Sequence, residues 1–355
     1  MIPRTSPSCQ LKTSQSESAL ENRSLNSDGL AFNNWQSELA NAFREPVELL
    51  KYLELPETLL AGTVSASPSF SLRVPQGYCQ RIKKSHPDDP LLRQILPLDA
   101  ELIHDPQFVF DPVADLDAIE VPGLLHKYHG RVLLITTAAC AVHCRYCFRR
   151  HFPYQDNRAE QNWQAAIDYI QKNTDIQEVI LSGGDPLSLT ESRLKVLTDK
   201  LLNIQHIKTL RIHTRQPIVL PERVNTELLN WLDSLPWKIV MVLHCNHANE
   251  IDESVAAALT RLQQHQVTLL NQSVLLKGVN DCKETLISLS EALFEHHVLP
   301  YYLHILDKVQ GAKHFYVDNE KACQLIQEVR RRLPGYLVPK LVKENPGEKS
   351  KTALF

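Results

Sequence analysis

The sequence predicts an α/β protein: a partial, open parallel β/α barrel of about six β-α units, with an N-terminal helical region before it and a short C-terminal segment after it. Three observations carry that expectation. Strongly apolar runs recur after Arg131, a helical stretch separates each from the next, and polar residues collect where the runs end. Runs too apolar for a one-sided sheet suit parallel strands covered by helices, and six units in about 200 residues fall short of a full eight-fold barrel.

The elements follow in order. Met1–Gly29 is rich in Ser, Asn and Gln, lacks the apolar stretch of a signal peptide, and is expected to be disordered. Residues 30–125 are the expected helical region. In "NNWQSELANAFREPVELLKYLEL" (Asn33–Leu55) apolar residues recur at helical spacing, broken at Pro46. Short helical or irregular pieces continue to "VPGLLHKYHGR" (Val121–Arg131). The barrel is expected over 126–333. Its strands are "RVLLIT" (131–136), "EVILSG" (178–183), "TLRIHT" (209–214), "KIVMVLHC" (238–245), "TLLNQSVLL" (268–276) and "LPYYLHIL" (299–306). Helices are expected near 160–172, 190–203, 223–234, 251–265, 283–296 and 318–333. Residues 334–355 close the chain. They open on strand-like "PGYLVPKLV" and end in "KENPGEKSKTALF", which on composition alone resembles a solvated tail.

At 355 residues and a formal net charge of −3, the chain gives no electrostatic reason to expect nucleic acid or an anionic membrane as partner. No apolar run approaches the ~18 residues of a membrane span. Eight cysteines are present, five scattered and three within eight residues. A secreted disulfide scaffold is shorter and spreads its cysteines, so a reducing, cytoplasmic location is expected.

In barrels of this kind the chemistry sits at the C-terminal ends of the strands. There the sequence places Thr136, Ser182 to Asp185, His213 to Arg215, His244 to His247, Asn271, Gln272 and Asp307. Just beyond the first strand, "CAVHCRYCFRR" sets Cys140, Cys144 and Cys147 in a C-x3-C-x2-C pattern. Two metal sites fit these residues. Structural zinc would take a fourth ligand, with His143 or His151 nearby. A [4Fe–4S] cluster held by three thiolates instead leaves one iron open for a substrate or cofactor.

The cysteine pattern after the first strand of a partial barrel resembles the radical S-adenosylmethionine (SAM) superfamily. That resemblance implies a [4Fe–4S] cluster on Cys140, Cys144 and Cys147 whose open iron binds SAM and splits it by one electron into a 5′-deoxyadenosyl radical. "SGGDP" at the end of the second strand is by itself a tight turn. After this cluster loop it resembles the superfamily's Gly-Gly-acid motif. Ser182, Gly183, Gly184, Asp185 and Gln272 are then implied to bind SAM, with the Asp185 carboxylate receiving the ammonium.

Longer stretches narrow the resemblance. "HKYHGRVLLIT", "CRYCFRRHF", "LSGGDPL", "HCNHANEID", "LLNQSVLLKGVNDC", "PYYLHILDKVQGAKHF" and "GYLVPKLV…PG…SKT" are similar to lysine 2,3-aminomutases, in order from Lys127 to Thr352, with "DDPLLRQILP" (Asp88–Pro97) upstream. The resemblance implies pyridoxal 5′-phosphate (PLP) on Lys351, in the pattern P-G-x-x-x-K-T, where an imine with PLP carries the substrate nitrogen through its 1,2-shift. Glu348 and Lys349 stand where the clostridial enzymes have glycines. Arg131 and Lys127 are implied to hold the PLP phosphate. Arg149 is implied to hold the substrate carboxylate, and Asp307 and Glu344, the latter in place of an aspartate, to hold its ε-ammonium. Cys282 matches a zinc-binding cysteine of the clostridial enzymes and is expected here to be a plain thiol.

The wording of these motifs resembles the proteobacterial branch of the family. It implies synthesis of (R)-β-lysine from L-lysine for attachment to elongation factor P by a partner ligase, and an electron donor such as flavodoxin or ferredoxin. Competing readings are an aminomutase for arginine or glutamate, a radical SAM enzyme without PLP, and a zinc-stabilised binding module.

Overall fold

The computed structural model describes residues 34–60, 70–156 and 163–354; the stretch Met1–Gly29 lies outside them. One ten-stranded sheet organises the described chain, its strands side by side in chain order. A hairpin of β1 (Ile119–Val121) and β2 (Leu124–Tyr128) leads antiparallel into β3 (Arg131–Thr137). Parallel strands follow: β4 (Glu178–Gly183), β5 (Thr209–Thr214), β6 (Lys238–Leu243), β7 (Thr268–Leu275), β8 (Leu299–Ile305) and β9 (Lys340–Lys343). A last short strand, β10 (Thr352–Ala353), returns antiparallel on β9. The sheet curves without closing: β1 and β10 are its two free edges. The six expected strands are β3 to β8, each within a residue or two of its sequence bounds at either end.

Parallel strands need crossovers long enough for a helix, and each gap here has one. The helices are Gln164–Lys172, Glu191–Leu201, Thr226–Asp233, Glu253–Gln264, Lys283–Glu295 and Asn319–Arg330. Each turns an apolar stripe to the outer face of the sheet. In Glu191–Leu201, Leu194, Leu197 and Leu201 recur at helical spacing and are fully buried. They pack on Leu181, Leu210 and Ile212, which are outward residues of β4 and β5. Burying one such side chain contributes about 1.5–3 kcal/mol. The alternate residues of the same strands, Ser182, Arg211 and His213, face the lumen, because successive strand side chains point to opposite faces.

Two regions differ from expectation. Val121–Arg131, read as helical or irregular, is strand β2 between two hairpin turns. Pro122–Gly123 makes the first, with Gly123 at φ +80°, and Gly130 makes the second at φ +75°. Pro followed by Gly at positive φ is the signature of a type II turn. The C-terminal residues are not a frayed tail. Gly347 (φ +79°) turns the chain, Thr352 pairs with Lys343, and the Leu354 N–H donates to Leu341 O at 3.0 Å.

The N-terminal helices, with Pro46 at the first position of Pro46–Tyr52, form their own apolar core with Trp35, Leu49, Leu53, Tyr78, Leu92 and Ile95. Ala141 and Val142 of the cysteine loop belong to it. The helical region is thus the lid that holds the cysteine loop onto the barrel.

Candidate active site

The cysteine loop is clamped from below and behind. Glu101 is the main clamp. Its carboxylate accepts Arg145 Nε at 2.8 Å and Nη2 at 2.6 Å, and Arg150 Nη2 at 2.7 Å. Side chains of Arg145 and Glu101 are 0% and 1% exposed. Below, the turn at the end of β4 zips onto the loop: Gly184 N–H donates to Thr137 O (2.7 Å) and Asp185 N–H to Ala139 O (2.8 Å). A Cβ on Gly184 would stand 2.5 Å from Ala139 O, and one on Gly183 2.7 Å from Thr137 O. Glycine is required here for loop-to-loop approach.

Burial pushes the Cys140 thiol well up, and the neighbouring Cys147, Asp185 and Cys144 push it further. Burial and Cys144 raise Cys147 to about 11. Arg215 Nη1 lies 2.7 Å from Cys144 Sγ, and its Nη2 is held by Gln94 Oε1 and Glu250 Oε2, both at 2.7 Å. Burial and mutual repulsion keep the Cys140 and Cys147 sulfurs from ionising, which marks them as donors suited to a positively charged centre. Among the described residues no three His, Cys, Asp or Glu side chains converge on a single-ion site. A four-iron cluster asks for something different, one thiolate on each of three irons, and three cysteines of one loop under a cationic guanidinium suit it.

Of the residues expected to hold SAM, Gly183, Gly184 and Asp185 meet this loop through their backbone. Asp185 turns its carboxylate inward. Oδ1 accepts Thr214 Oγ1 (2.7 Å) and Leu187 N–H (3.1 Å), and Oδ2 accepts Arg215 N–H (2.7 Å). Those three donors brace the turns after β4 and β5, so the carboxylate expected to receive an ammonium is already engaged. Ser182 Oγ accepts from Arg149 Nη1 at 3.0 Å. Gln272 faces the lumen with its side-chain nitrogen 2.9 Å from His244 Nε2.

A second group of charges spans the open side of the barrel. Arg149 Nε bonds Asp115 Oδ2 (2.7 Å), and Lys127 Nζ lies 2.7 Å from Asp115 Oδ1. Lys127 also donates to Glu344 Oε1 (3.0 Å), and Lys351 Nζ donates to Glu344 Oε2 (2.6 Å). Residues from β2, the cysteine loop and the C-terminal hairpin thereby meet across the seam between sheet edges. Lys127, expected on a phosphate, is taken up by two carboxylates here. Arg131 stacks on the Tyr128 ring at 4.7 Å, with no acid paired to it among the described residues.

Electrostatics separate the acids. Burial opposes ionisation of Glu344, but Lys351 and Lys127 hold its carboxyl down at about 2. Burial and the nearby Glu344 charge push Asp307 up to about 7. No donor sits on the Asp307 carboxylate among the described residues, and no partner sits on Arg149 Nη2. Deeper in the lumen, burial lowers His213 and His304 well below the usual imidazole range, helped by Arg211 and His244 at His213 and by Lys351 at His304. Their Nε2 atoms are buried and unpartnered. An amine, a guanidinium without an acid, two orphaned imidazole nitrogens and a free carboxylate around one mouth fit PLP together with a cationic amino acid.

Asp115, Glu101, Glu250 and Gln94 were not singled out in the sequence. Arg215 was noted only as a strand-end polar residue. Cys282 is exposed, 3.0 Å from Thr285 Oγ1. His247 caps the turn Ala248–Glu250, and the Cys245 thiol donates to His247 O, consistent with a hydrogen-bonded rim.

A family model described as the Radical SAM superfamily matches residues 134–289, a span that contains all three loop cysteines. L-lysine 2,3-aminomutase of Escherichia coli K12 is 49% identical over 323 residues, covering 90% of this chain and 94% of the relative. That of Haemophilus influenzae is 48% identical, covering 90% and 95%. The Clostridium subterminale enzyme of the same name is 35% identical, covering 91% and 78%. Among solved structures, a radical SAM methyltransferase from Sphaerobacter thermophilus superposes with a TM-score of 0.43 at 15% identity, over 62% of this chain and 68% of its own.

Proposed function

The chain belongs to the lysine 2,3-aminomutase family of radical SAM enzymes, and from that premise we propose that it isomerises L-lysine to (R)-β-lysine using a [4Fe–4S] cluster, SAM and PLP. The observation that carries the choice of substrate is Asp307, a carboxylate without a donor at the same mouth as Lys351. An ε-ammonium is the ligand it lacks. A γ-carboxylate beside Asp307 and Glu344 would be repelled, which disfavours glutamate.

When bound, the cluster and SAM supply a 5′-deoxyadenosyl radical, and PLP supplies the carbonyl that carries the substrate nitrogen from C2 to C3. The chain's own residues hold and orient. Arg149, braced by Asp115 and Ser182, presents its remaining guanidinium nitrogen to the substrate α-carboxylate. Asp307 receives the ε-ammonium, and in doing so ionises. Glu344 accepts from Lys351 Nζ and keeps that amine at the mouth. Arg131 is the cation left for the PLP phosphate. The backbone of Gly183 and Gly184, positioned through Asp185, lies closest to the cysteine loop and lines the SAM side.

The greater identity to the E. coli and Haemophilus enzymes than to the clostridial one supports a proteobacterial role, β-lysine production for elongation factor P and its ligase. A cytoplasmic enzyme reduced by flavodoxin or ferredoxin fits this role. No helix among the described residues is long and apolar enough to cross a membrane.

Anaerobic reconstitution tests the proposal. Iron should exceed zinc, borohydride should fix PLP to Lys351, and free L-lysine should yield β-lysine. Absence of β-lysine would refute the substrate assignment; an unlabelled Lys351 would refute the cofactor assignment. Comparison of free lysine with lysylated elongation factor P identifies the form used.

A further inference from the structure

Behind the cysteine loop, on the outer surface, lies a cavity of about 500 Å³ whose wall carries Phe108, Lys277, Lys308, Lys313, His314 and Tyr316. Its charge is one-sided. Asp105 is the only acid in the lining, and it is paired with Lys313 at 2.8 Å. Lys308 donates to the neutral Gln107 and lies over the Tyr316 ring at 5.2 Å. Lys277 is exposed, and no acid pairs with it among the described residues. Apolar side chains flank the lysines: Ile103, 57% exposed, lines the cavity, and Leu102, 49% exposed, is its chain neighbour.

The floor of this cavity leads to the cysteines. The His314 ring is tilted against Phe315 at 4.1 Å, and Phe315 meets the Tyr146 ring edge-on at 6.2 Å. Tyr146 stands between Cys144 and Cys147 in the chain, and Cys144 packs on the same apolar cluster of Phe108, Tyr146, Val309 and Phe315. The route is continuous packed side chain, with both ends at functional places: lysines in solvent, a cysteine of the loop inside. The opening on the other side of the loop contrasts with it. That opening is small, about 40 Å³, and is lined by Asp111, Asp115 and Arg149, so it faces the substrate charges.

We propose that the face around Lys277, Lys308 and Lys313 is the docking surface of an acidic one-electron carrier protein, which reduces the cluster through the His314–Phe315–Tyr146 side of the loop. The assignment rests on the radical SAM reading above and adds to it where the donor binds and what charge it carries. One electron leaves the carrier's reduced centre and enters the oxidised cluster; no atom or proton is transferred. Three lysines beside exposed aliphatic residues match an acidic partner in a small, transient interface, the kind used for electron transfer. A small anion or another protein is the competing occupant.

The test compares two reductants on the reconstituted holoenzyme. Cluster reduction is followed by rapid-mixing absorbance with purified flavodoxin hydroquinone, and separately with dithionite, which needs no docking. For Lys277→Glu/Lys313→Glu the flavodoxin rate at low salt should fall at least ~10-fold while the dithionite rate stays unchanged. Lys238→Glu, at the opposite end of the barrel, should leave both unchanged. The wild-type flavodoxin rate should fall with added salt, and the variant's much less. An unchanged flavodoxin rate in the double variant, or a wild-type rate indifferent to salt, overturns the proposal. Should the charge reversal also slow dithionite, Lys277→Gln/Lys313→Gln and the wild-type salt dependence decide between the same two outcomes. Failure to form β-lysine with normal flavodoxin reduction would instead count against the aminomutase reading alone.

Discussion

The substrate-binding role proposed for Asp307 rests on the absence of a partner at its carboxylate among the described residues. Burial and Glu344 raise its carboxyl to about 7, so around neutral pH Asp307 is a partly protonated acid. A raised folded-state value means that its contribution to stability is full below the unfolded carboxyl range and is lost as pH rises through 7. Asp307→Asn should therefore gain on the wild-type apoprotein between pH 5 and pH 8 by about 2–3 kcal/mol, measured by denaturant unfolding. The same variant should lose roughly 100-fold or more in kcat/KM for lysine, since the ammonium is left unpaired. Equal stability at both pH values would show that Asp307 already has a cation. Glu344 runs the other way. Its depressed value means stability that is present at neutral pH and lost only as pH falls from the unfolded carboxyl range toward 2.

Among elements, two carry the site. The turn after β4 depends on Gly184, whose added Cβ would stand 2.5 Å from Ala139 O and 2.7 Å from the Ala138 carbonyl carbon. Backbone cannot yield as a flexible side chain does, so Gly184→Ala should cost about 1–3 kcal/mol and displace the cysteine loop. Iron per chain after reconstitution should drop while the far-ultraviolet dichroism stays native; full iron content would disprove the close-approach role. The C-terminal hairpin is the second. Removing Lys351–Phe355 takes away β10, the Leu354 contact with the β8–β9 core and the amine beside Glu344. Covalent PLP should be lost and iron retained. PLP still attached by imine after that truncation would return the segment to the status of a tail.

Across the whole molecule, an open barrel is closed by charge in place of backbone. Lys127 bridges Asp115 and Glu344 over the seam, and the helical lid reaches the cysteine loop through Glu101. The two bridges act in different places, one at the open side of the barrel and the other at the cysteine loop. Glu101 balances two buried guanidinium groups, so Glu101→Gln should destabilise the protein by about 3–5 kcal/mol. Both Arg145 and Arg150 sit on the cluster loop, and iron retention should fall with stability. Thermal unfolding with iron analysis on the same samples checks the two together.

Much of this was legible in the sequence because the relevant pattern is local. Strands buried on both faces must be continuously apolar, so β3 to β8 stood out as runs, and the crossover helices stood out by their spacing. Three cysteines on one loop were legible for the same reason, while Lys351 stood out only through the resemblance of its seven-residue motif to the family's. The β1–β2 hairpin carried a usable sign in Pro122–Gly123 that composition obscured. What only the tertiary structure decided is which charge meets which. Asp115 lies 34 residues from Arg149 and Glu101 lies 44 from Arg145, while Lys127 and Glu344 are 217 apart. No periodicity links such positions. Asp185 likewise reads as a free acid in "SGGDP" until folding brings Thr214 and the Arg215 amide onto its carboxylate. Apolar periodicity and short motifs are written along the chain, since burial and turn geometry act on neighbours. Ion pairs form between whatever groups the fold brings within a few ångströms, and that distance exists only once the barrel has curved.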